Sequence, residues 1–328
     1  MRNWFLGLVL ALMAVVSGLT GITETSAQSY PSRPVTLIVP FPPGGITDII
    51  SRVVSDHLRV SLGQPVIVEN TAGAGGTIGL ARLFRAVPDG YTIGIGQWTS
   101  NVGAGAMYNL PFDLLKDFEP ISLLSFGPLW IIGRKDLPPN GIKELIAWLK
   151  ANPKASAGTI GAGSGAHMCL IYFQNETGAP FTVVPYRGAA PAMQDLMAGQ
   201  IDLFCPEAGQ TLSQYRAGNV KAYAVLTEKR WFAAPDVPTI DEAGVPGLHM
   251  PFWHGLWAPK GTAPDVIAKL NAAVVDALAD ATVRARLREL GHEIAPRDQQ
   301  TPAALAAYHK AETEKWWPII KAANIKAE

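Results

Sequence analysis

Ser164 and His167 are the two residues whose side chains would be most reactive if they met. They stand three positions apart in "GTIGAGSGAH", where a predicted strand passes into a predicted helix. Residues at this spacing are neighbours on a helix, and a serine beside a histidine begins a nucleophilic dyad. No orienting acid is evident, and Ala162 and Ala166 stand where the G-x-S-x-G turn of hydrolases needs glycine. The pattern therefore argues against a hydrolase.

Two acids, Asp48 and Glu207, form a second possible reactive set. Each follows a predicted strand, in "VTLIVPFPPGGITD" and "IDLFCPE". Glu207 would repel an anionic ligand unless that ligand also carries a positive or hydroxyl group. A secreted hydrolase that uses either set stays open as an alternative. Turnover of activated esters that Ser164→Ala removes would identify it.

A glycine-rich turn, which we call the first loop, offers binding chemistry instead of catalysis. It runs from Phe41 through Pro42, Gly44 and Gly45 to Asp48 and leads into a predicted helix. Glycines let main-chain N–H groups approach a ligand, and a helix N-terminus favours anions. We expect this loop to hold a carboxylate. Asp48 either caps the helix or meets an ammonium or hydroxyl group of the ligand.

A second glycine-rich turn, the second loop, extends from Gly161 and Gly163 to Ser164 and His167. Its letters fit the G-x-G-x-x-A pattern of dinucleotide-binding turns. That pattern also requires an acid at the end of the next strand, and the strand here ends in "VVPYRG". The second loop is therefore predicted to be a counterpart of the first. Together they would surround an anion with charge-assisted hydrogen bonds.

Other polar side chains follow predicted strands, at the edge where ligands of open α/β sheets bind. Thr99 and Ser100 are predicted to reach the ligand with their hydroxyls. Trp98 is either a wall of the pocket or core. Tyr186 and Arg187 end another strand, so one of them is predicted to face the cleft, and an arginine fork suits a carboxylate. For Arg187 the pattern slightly favours a surface cation or a structural pair with Asp195 or Asp202.

The elements that position these residues alternate as strands and helices, which predicts an α/β fold with doubly wound mixed sheets. The alternation restarts after residue 136, and two crossings are predicted near 125–131 and 250–256. We expect a first domain of residues 28–126 and 252–328 and a second of residues 127–251. Two lobes joined by two crossover strands make a hinged clamp of the type II periplasmic-binding-protein kind.

The first 27 residues are predicted to be a signal peptide, because Arg2 precedes a short apolar stretch and Thr25-Ser26-Ala27 provides a small-residue exit. The predicted location is the periplasm. With 27 basic and 27 acidic residues the net charge is zero, so nucleic acid is not expected as a partner. Cys169 and Cys205 are either a disulfide or two free thiols.

No metal site and no cofactor are predicted from the sequence. The six histidines are scattered, and the nearest pair, His249 and His254, matches no metal-binding spacing. We also expect a monomer, by analogy with other clamps.

Taken together, these stretches resemble the Bug family, the extracytoplasmic solute receptors of tripartite tricarboxylate transporters. The resemblance rests on "YPSRPVTLIVPFPPGGITDIISR", "VIVENTAGAGGTIGLA", "PDGYTIGIG", "KDFEPISLL", "VPYRGAAPAMQDLMAGQID" and "GLWAPKGTAPDVIAKLN". It runs from about Tyr30 to the C-terminus. The segment "TSNVGAGAMY" and the aromatic stretch near residues 249–257 depart from the usual family pattern.

The resemblance implies a binding protein without enzyme activity that captures a dicarboxylate, an acidic amino acid or an aromatic acid. In the family one loop from each domain holds the carboxylate, and these correspond to Phe41–Asp48 and Gly161–His167 here. The implied partner is a two-subunit membrane permease. A ligand sensor for a membrane regulator is a further alternative, because the clamp would look the same.

Overall fold

The fold is described from a computed structural model over residues 30–161 and 163–322. The predicted signal peptide, residues 1–27, lies outside this range. In chain order the strands are β1 (Val35–Val39), β2 (Val66–Asn70), β3 (Thr92–Gln97), β4 (Phe118–Pro128), β5 (Trp130–Arg134), β6 (Ser156–Thr159), β7 (Thr182–Pro185), β8 (Leu203–Phe204), β9 (Val220–Val225), β10 (Pro251–Pro259) and β11 (Glu293–Ile294).

Helices fill most of the connections between these strands. They are α1 (Ile46–Leu62), α2 (Thr77–Phe84), α3 (Ala104–Met107), α4 (Ile142–Ala151), α5 (Gly165–Thr177), α6 (Ala189–Met197), α7 (Ala208–Arg216), α8 (Ile240–Ala243), α9 (Pro264–Ala279), α10 (Ala281–Glu289) and α11 (Pro302–Ala322). Short 3₁₀ turns cover Ala74–Gly76 and Arg297–Gln299, and a π-helical turn covers Thr99–Gly103. The stretch from residue 264 to 289 is divided into two helices, since α9 ends at Ala279 and α10 begins at Ala281.

The strands form two mixed sheets, which confirms the predicted fold class. The first lobe is built on a six-stranded sheet in the order β11-β4-β10-β3-β1-β2, and the second on a five-stranded sheet in the order β7-β6-β8-β5-β9. β1, β2 and β3 are parallel, as are β6, β7 and β8, whereas β10 runs antiparallel to β3 and β4. The carboxyl ends of the parallel strands carry both loops.

β1 shows why the apolar run "VTLIV" becomes a central strand. Alternate side chains of a strand point to opposite faces, and both faces of this strand are covered. Val35, Leu37 and Val39 pack in the cluster that contains the apolar stripe of α1, whereas Ile38 packs with α2. The strand thus delivers the first loop from a fully buried base. Gly63, at φ 67°, ends α1 in the left-handed conformation.

The chain passes between the lobes at two places. β4 pairs within the six-stranded sheet up to Pro128, and β5 enters the five-stranded sheet at Trp130. The return is at Met250, whose N–H donates to Leu226 O, just before β10 rejoins the first lobe. These passages agree with the predicted crossings. The domain boundaries drawn at residues 126/127 and 251/252 stay a prediction.

Cys169 in α5 and Cys205 after β8 form a disulfide, with their Cα atoms 6.3 Å apart. The sequence had left this pairing open. Both cysteines are buried. Closing a loop of this length contributes about 4 kcal/mol in the chain-entropy account. The disulfide ties α5, which begins at the second loop, to the sheet beneath it.

Candidate functional site

The first loop is an exposed turn that ends in an uncapped helix N-terminus. Pro42, Gly44 and Gly45 are exposed, and Gly44 takes φ 80°, which favours glycine. Gly45 is the N-cap of α1 and offers no side-chain acceptor to the first helical turn. The first N–H groups of a helix have no partner within it. The loop therefore places the positive dipole end of α1 behind an exposed turn, where an anion would be favoured.

Asp48 holds this loop from within the first lobe. Its carboxylate accepts from Gly44 N–H at 2.9 Å and from Asn70 Nδ2 at 3.0 Å, and Arg52 lies 2.9 Å away. Burial acts to raise the pKa of Asp48, but the bonds from Arg52, Gly44 and Asn70 outweigh it and lower the pKa below its ordinary value. Because its oxygens already fix the turn, the structure favours the capping role of Asp48, and its contact with a ligand stays a prediction.

The second loop is organised by hydroxyl and imidazole groups. Gly161 and Gly163 have φ angles of 117° and 73°. Ser164 caps α5, where its Oγ accepts from the main-chain N–H of His167 at 3.2 Å and bonds Thr159 Oγ1 at 2.9 Å. Burial lowers the pKa of His167, whose Nδ1 accepts from Gly163 N–H at 3.0 Å.

These contacts speak against a Ser164–His167 dyad. Ser164 Oγ meets the main chain of His167, whereas the His167 ring is turned toward Gly163. A general base must reach the hydroxyl proton it removes, and this imidazole bonds elsewhere. The arrangement shapes a turn and does not activate a nucleophile.

The first lobe contacts the second loop directly. Thr99 Oγ1 accepts from Gly165 N–H at 3.1 Å, which joins the lobes at the N-terminus of α5. A Cβ added to Gly165 would lie 2.7 Å from Phe252 Cε2, and one added to Gly163 would lie 2.5 Å from Met107 Sδ. Gly163 and Gly165 are buried by these neighbours. The lobes are thus closed against each other at the second loop.

Thr99 is the polar side chain after β3 that bridges the two lobes, and its two neighbours in sequence have structural roles. Trp98 is fully buried and packs edge-on against Trp316, with ring centroids 5.4 Å apart. Ser100 is also buried, and its Oγ donates to Asn101 Oδ1 at 2.7 Å. These contacts favour the core position for Trp98 and a structural role for Ser100, and their ligand contacts stay predictions.

The three remaining predicted residues are spread over the second lobe. Tyr186 donates through its hydroxyl to Asp195 Oδ2 at 2.6 Å. Burial, together with this hydrogen bond, raises the pKa of Tyr186 to about 12. Arg187 is exposed. Glu207 is buried, and its Oε1 lies 2.6 Å from His292 Nε2 at the junction of the lobes. Glu207 thus faces a histidine of the first lobe, and its contact with a ligand stays a prediction.

A third glycine-rich turn, which the sequence analysis did not include in the predicted site, packs beside the first loop. The segment "TAGAGG" follows β2, the neighbour of β1, and includes Gly76 at φ 96°. A Cβ on Gly76 would lie 2.9 Å from Ser100 Cβ and 3.4 Å from Phe41 Cζ. The turn therefore packs against the first loop. Its glycine run after a parallel strand was the signal that could have identified it.

Two mixed sheets, two passages of the chain between them and a glycine-rich loop on each sheet are the architecture of two-lobe solute-binding receptors. The chain belongs to the tripartite tricarboxylate transporter receptor family, whose pattern matches residues 50–325. This membership confirms the predicted Bug-type resemblance and the expectation that the protein is a receptor and not an enzyme. Among the described residues, no helix has the length and apolar character needed to cross a bilayer.

Three solved structures show the similarity in detail. The periplasmic binding protein BugD is 40% identical, with a TM-score of 0.84 over 91% of this chain and 100% of that one. MatC from Rhodopseudomonas palustris with bound malate is 36% identical, with a TM-score of 0.83 over 89% and 100%. Rpa4515 from R. palustris with adipate is 31% identical, with a TM-score of 0.84 over 90% and 99%.

Proposed function

We propose that this protein captures a small carboxylate between its two loops in the periplasm and delivers it to a tripartite tricarboxylate-type permease. The observation that carries the proposal is the uncapped N-terminus of α1, which lies in an exposed turn whose backbone is fixed in advance by Asp48. Preformed donors lose little conformational freedom when they bind an anion. No strongly activated nucleophile is needed for this task.

The ligand classes that fit are dicarboxylates, acidic amino acids and aromatic acids. Two similar proteins hold malate and adipate, both of which are dicarboxylates. A dicarboxylate would place one carboxylate at the first loop and the other toward the second lobe. The lobes would then close on it, because the ligand binds the closed form better than the open form.

The domain division at residues 28–126 with 252–328 and 127–251 is part of the same proposal, as is a signal peptide over residues 1–27. The domain division follows from the hinged clamp, and the signal peptide follows from export to the periplasm. Tyr186, Arg187, Gly161 and Gly163 would line the second lobe's side of the cleft. Their part in binding is inferred from their positions after β6 and β7.

A thermal-shift screen over mono-, di- and aromatic carboxylates tests the ligand class. A ligand at 100 times its Kd should stabilise the protein by about 2.7 kcal/mol. Calorimetry then compares the wild type with Gly45→Val. The φ of −75° and ψ of 164° at Gly45 accept valine, and its Cβ would meet only Pro42 O at 3.5 Å, so the fold is expected to survive while binding is lost.

Gly141→Val is the matched control, because Gly141 is the N-cap of α4, also extended, with open space around its Cβ position. Unchanged affinity in Gly45→Val would remove the first loop from the site. Uptake of the identified acid by cells that lack and then regain the protein tests delivery. Binding without any effect on uptake would contradict delivery and favour a sensor.

A further inference from the structure

Three buried residues meet at the junction of the two lobes, far from the loops in sequence. Glu207 lies between β8 and α7 in the second lobe, His254 lies in β10, and His292 immediately precedes β11. We call these three residues the hinge cluster. They are 3%, 0% and 2% exposed, so water does not solvate their polar atoms.

The side chains of the hinge cluster converge on one point. Glu207 Oε1 lies 2.6 Å from His292 Nε2, and one ligand atom from each of the three residues lies within 4.8 Å of the others. The rings of His254 and His292 are 5.4 Å apart between centroids. Two imidazoles and a carboxylate therefore share a small volume.

The outer nitrogen of each imidazole is occupied by a hydroxyl group. His254 Nε2 bonds Thr47 Oγ1 at 3.1 Å, and His292 Nδ1 bonds Ser125 Oγ at 3.1 Å. These contacts leave His254 Nδ1 and His292 Nε2 as the nitrogens that face the cluster. Such outer bonds are how proteins fix the orientation of metal-binding histidines.

The inner atoms lack well-formed hydrogen bonds. Among the described residues, His254 Nδ1, His292 Nε2 and both carboxylate oxygens of Glu207 have no hydrogen-bond partner of good geometry. A buried polar atom without a partner costs about 1–3 kcal/mol. A contact between Glu207 and His292 alone would still leave His254 Nδ1 without a partner.

We propose that Glu207, His254 and His292 form a binding site for a divalent transition-metal ion of the zinc type. Zinc binds imidazole nitrogen and carboxylate oxygen, whereas Mg²⁺ and Ca²⁺ prefer sites made of oxygen alone. Ligand atoms that share a tetrahedral zinc stand roughly 3.4 Å apart, given metal–ligand distances of about 2.1 Å. The Glu207–His292 contact would have to open by roughly 1 Å, and His254 would have to move inward by a similar amount.

The main chain leaves room for this site at Gly127 in β4. A Cβ there would lie 2.6 Å from Glu207 Oε1 and 2.9 Å from His292 Cε1. Because Glu207 belongs to one lobe and the histidines to the other, a bound ion would connect the lobes at the hinge. Metal binding is therefore expected to raise thermal stability.

Calorimetric titration with Zn²⁺ of the full protein, after treatment with a chelator, tests this site. We expect one ion per chain and visible absorption bands on titration with Co²⁺. Glu207→Gln keeps the shape of the side chain and removes its charge, and His254→Gln removes the unpartnered nitrogen. Each variant should bind Zn²⁺ at least about tenfold more weakly, and Thr47→Val should lose about 10–100-fold.

His249→Gln is the matched control, because His249 contacts Asp241 Oδ2 at 2.8 Å outside the cluster. In the presence of chelator, a melting temperature of Glu207→Gln close to that of the wild type shows that the variant is folded. Three results would overturn the proposal: a wild type that binds neither ion, a Glu207→Gln variant of unchanged affinity, or binding that only His249→Gln removes.

Discussion

The first loop is fixed by side chains of its own lobe, whereas the second loop is fixed partly by the opposite lobe. Asp48, Arg52 and Asn70 hold the first loop, and its glycines stay exposed. In the second loop, Gly165 N–H is already taken by Thr99. We therefore expect the first loop to be able to receive a ligand before closure, whereas the contact between Gly165 and Thr99 in the second loop forms only when the lobes meet.

Because the two loops are held differently, we expect them to contribute differently to the shift from the open to the closed form. A ligand can favour the closed form only by contacts that the open form lacks. We expect the first loop to offer similar contacts in both forms and so to contribute affinity. We expect the second loop, part of which is held by Thr99 of the opposite lobe, to couple the ligand to the movement of the lobes. The substitutions below test this division.

Gly165→Val should have the largest effect on binding. Its Cβ would lie 2.7 Å from Phe252 Cε2, so valine would push the lobes apart at the second loop. We expect ligand affinity to fall at least 100-fold, or about 3 kcal/mol, in calorimetry. The double variant Gly165→Val/Phe252→Ala should regain part of the loss. A single variant that binds like the wild type would show that closure does not require this contact.

Lowering the pH should destabilise the part of the first lobe that contacts the second loop, because His309 is buried there. Its Nε2–H donates to Asn101 O at 2.6 Å, close to Thr99, and burial lowers its pKa from 6.5 to about 4. Between pH 6.5 and about pH 4, His309 is therefore protonated in the unfolded chain but neutral in the folded protein. The stability contributed by His309 is present at pH 7 and falls by about 3 kcal/mol as the pH approaches 4.

Chemical denaturation of the wild type and of His309→Gln at pH 7 and pH 4 measures this difference. The wild type should lose about 3 kcal/mol more than the variant over that range. Equal losses in the two proteins would mean that His309 does not titrate as described.

Asp48→Ala should affect the first loop alone. The change leaves Gly44 N–H without its acceptor and Asn70 Nδ2 with only its bond to Phe41 O, which should cost about 2 kcal/mol of stability and weaken ligand binding. Asp280→Ala is the control, since Asp280 caps α10 at the surface and should cost about 1 kcal/mol without any change in affinity. Equal ligand affinity in Asp48→Ala and Asp280→Ala would indicate that ligand binding does not require Asp48 to hold the first loop.

Thr99→Val should have the smallest effect. It removes one hydrogen bond between the lobes, which corresponds to about 1 kcal/mol and to a roughly fivefold loss of ligand affinity. Thr182→Val, on exposed β7, is the control. A Thr99→Val variant that binds more tightly would instead show that Thr99 competes with the ligand for Gly165 N–H.

Much of the fold could be predicted because it depends on local patterns. Runs of apolar residues and the periodic apolar face of a helix predicted β1 and α1. The order of the sequence blocks indicated the family. Both loops could be located as well, since each follows a parallel strand and contains glycines with positive φ.

The roles of single side chains within the site were harder to predict. Trp98 fitted both a pocket wall and a core position, and only its packing on Trp316 separates the two. Glu207 fitted a ligand contact, and its neighbour proved to be His292, 85 residues further along the chain. The hinge cluster has no sequence motif, because its three members come from three separate elements.

The sequence by itself determined the two-lobe α/β fold, the family and the two loops, since hydrophobic periodicity and glycine positions act over short stretches. Only the tertiary structure decided which polar groups are used up inside the protein and which face the cleft. Asp48 with Asn70, Thr99 with Gly165, and Glu207 with His292 are partners across long separations in the chain. Such pairs form where packing places them, and burial then makes each of them energetically important.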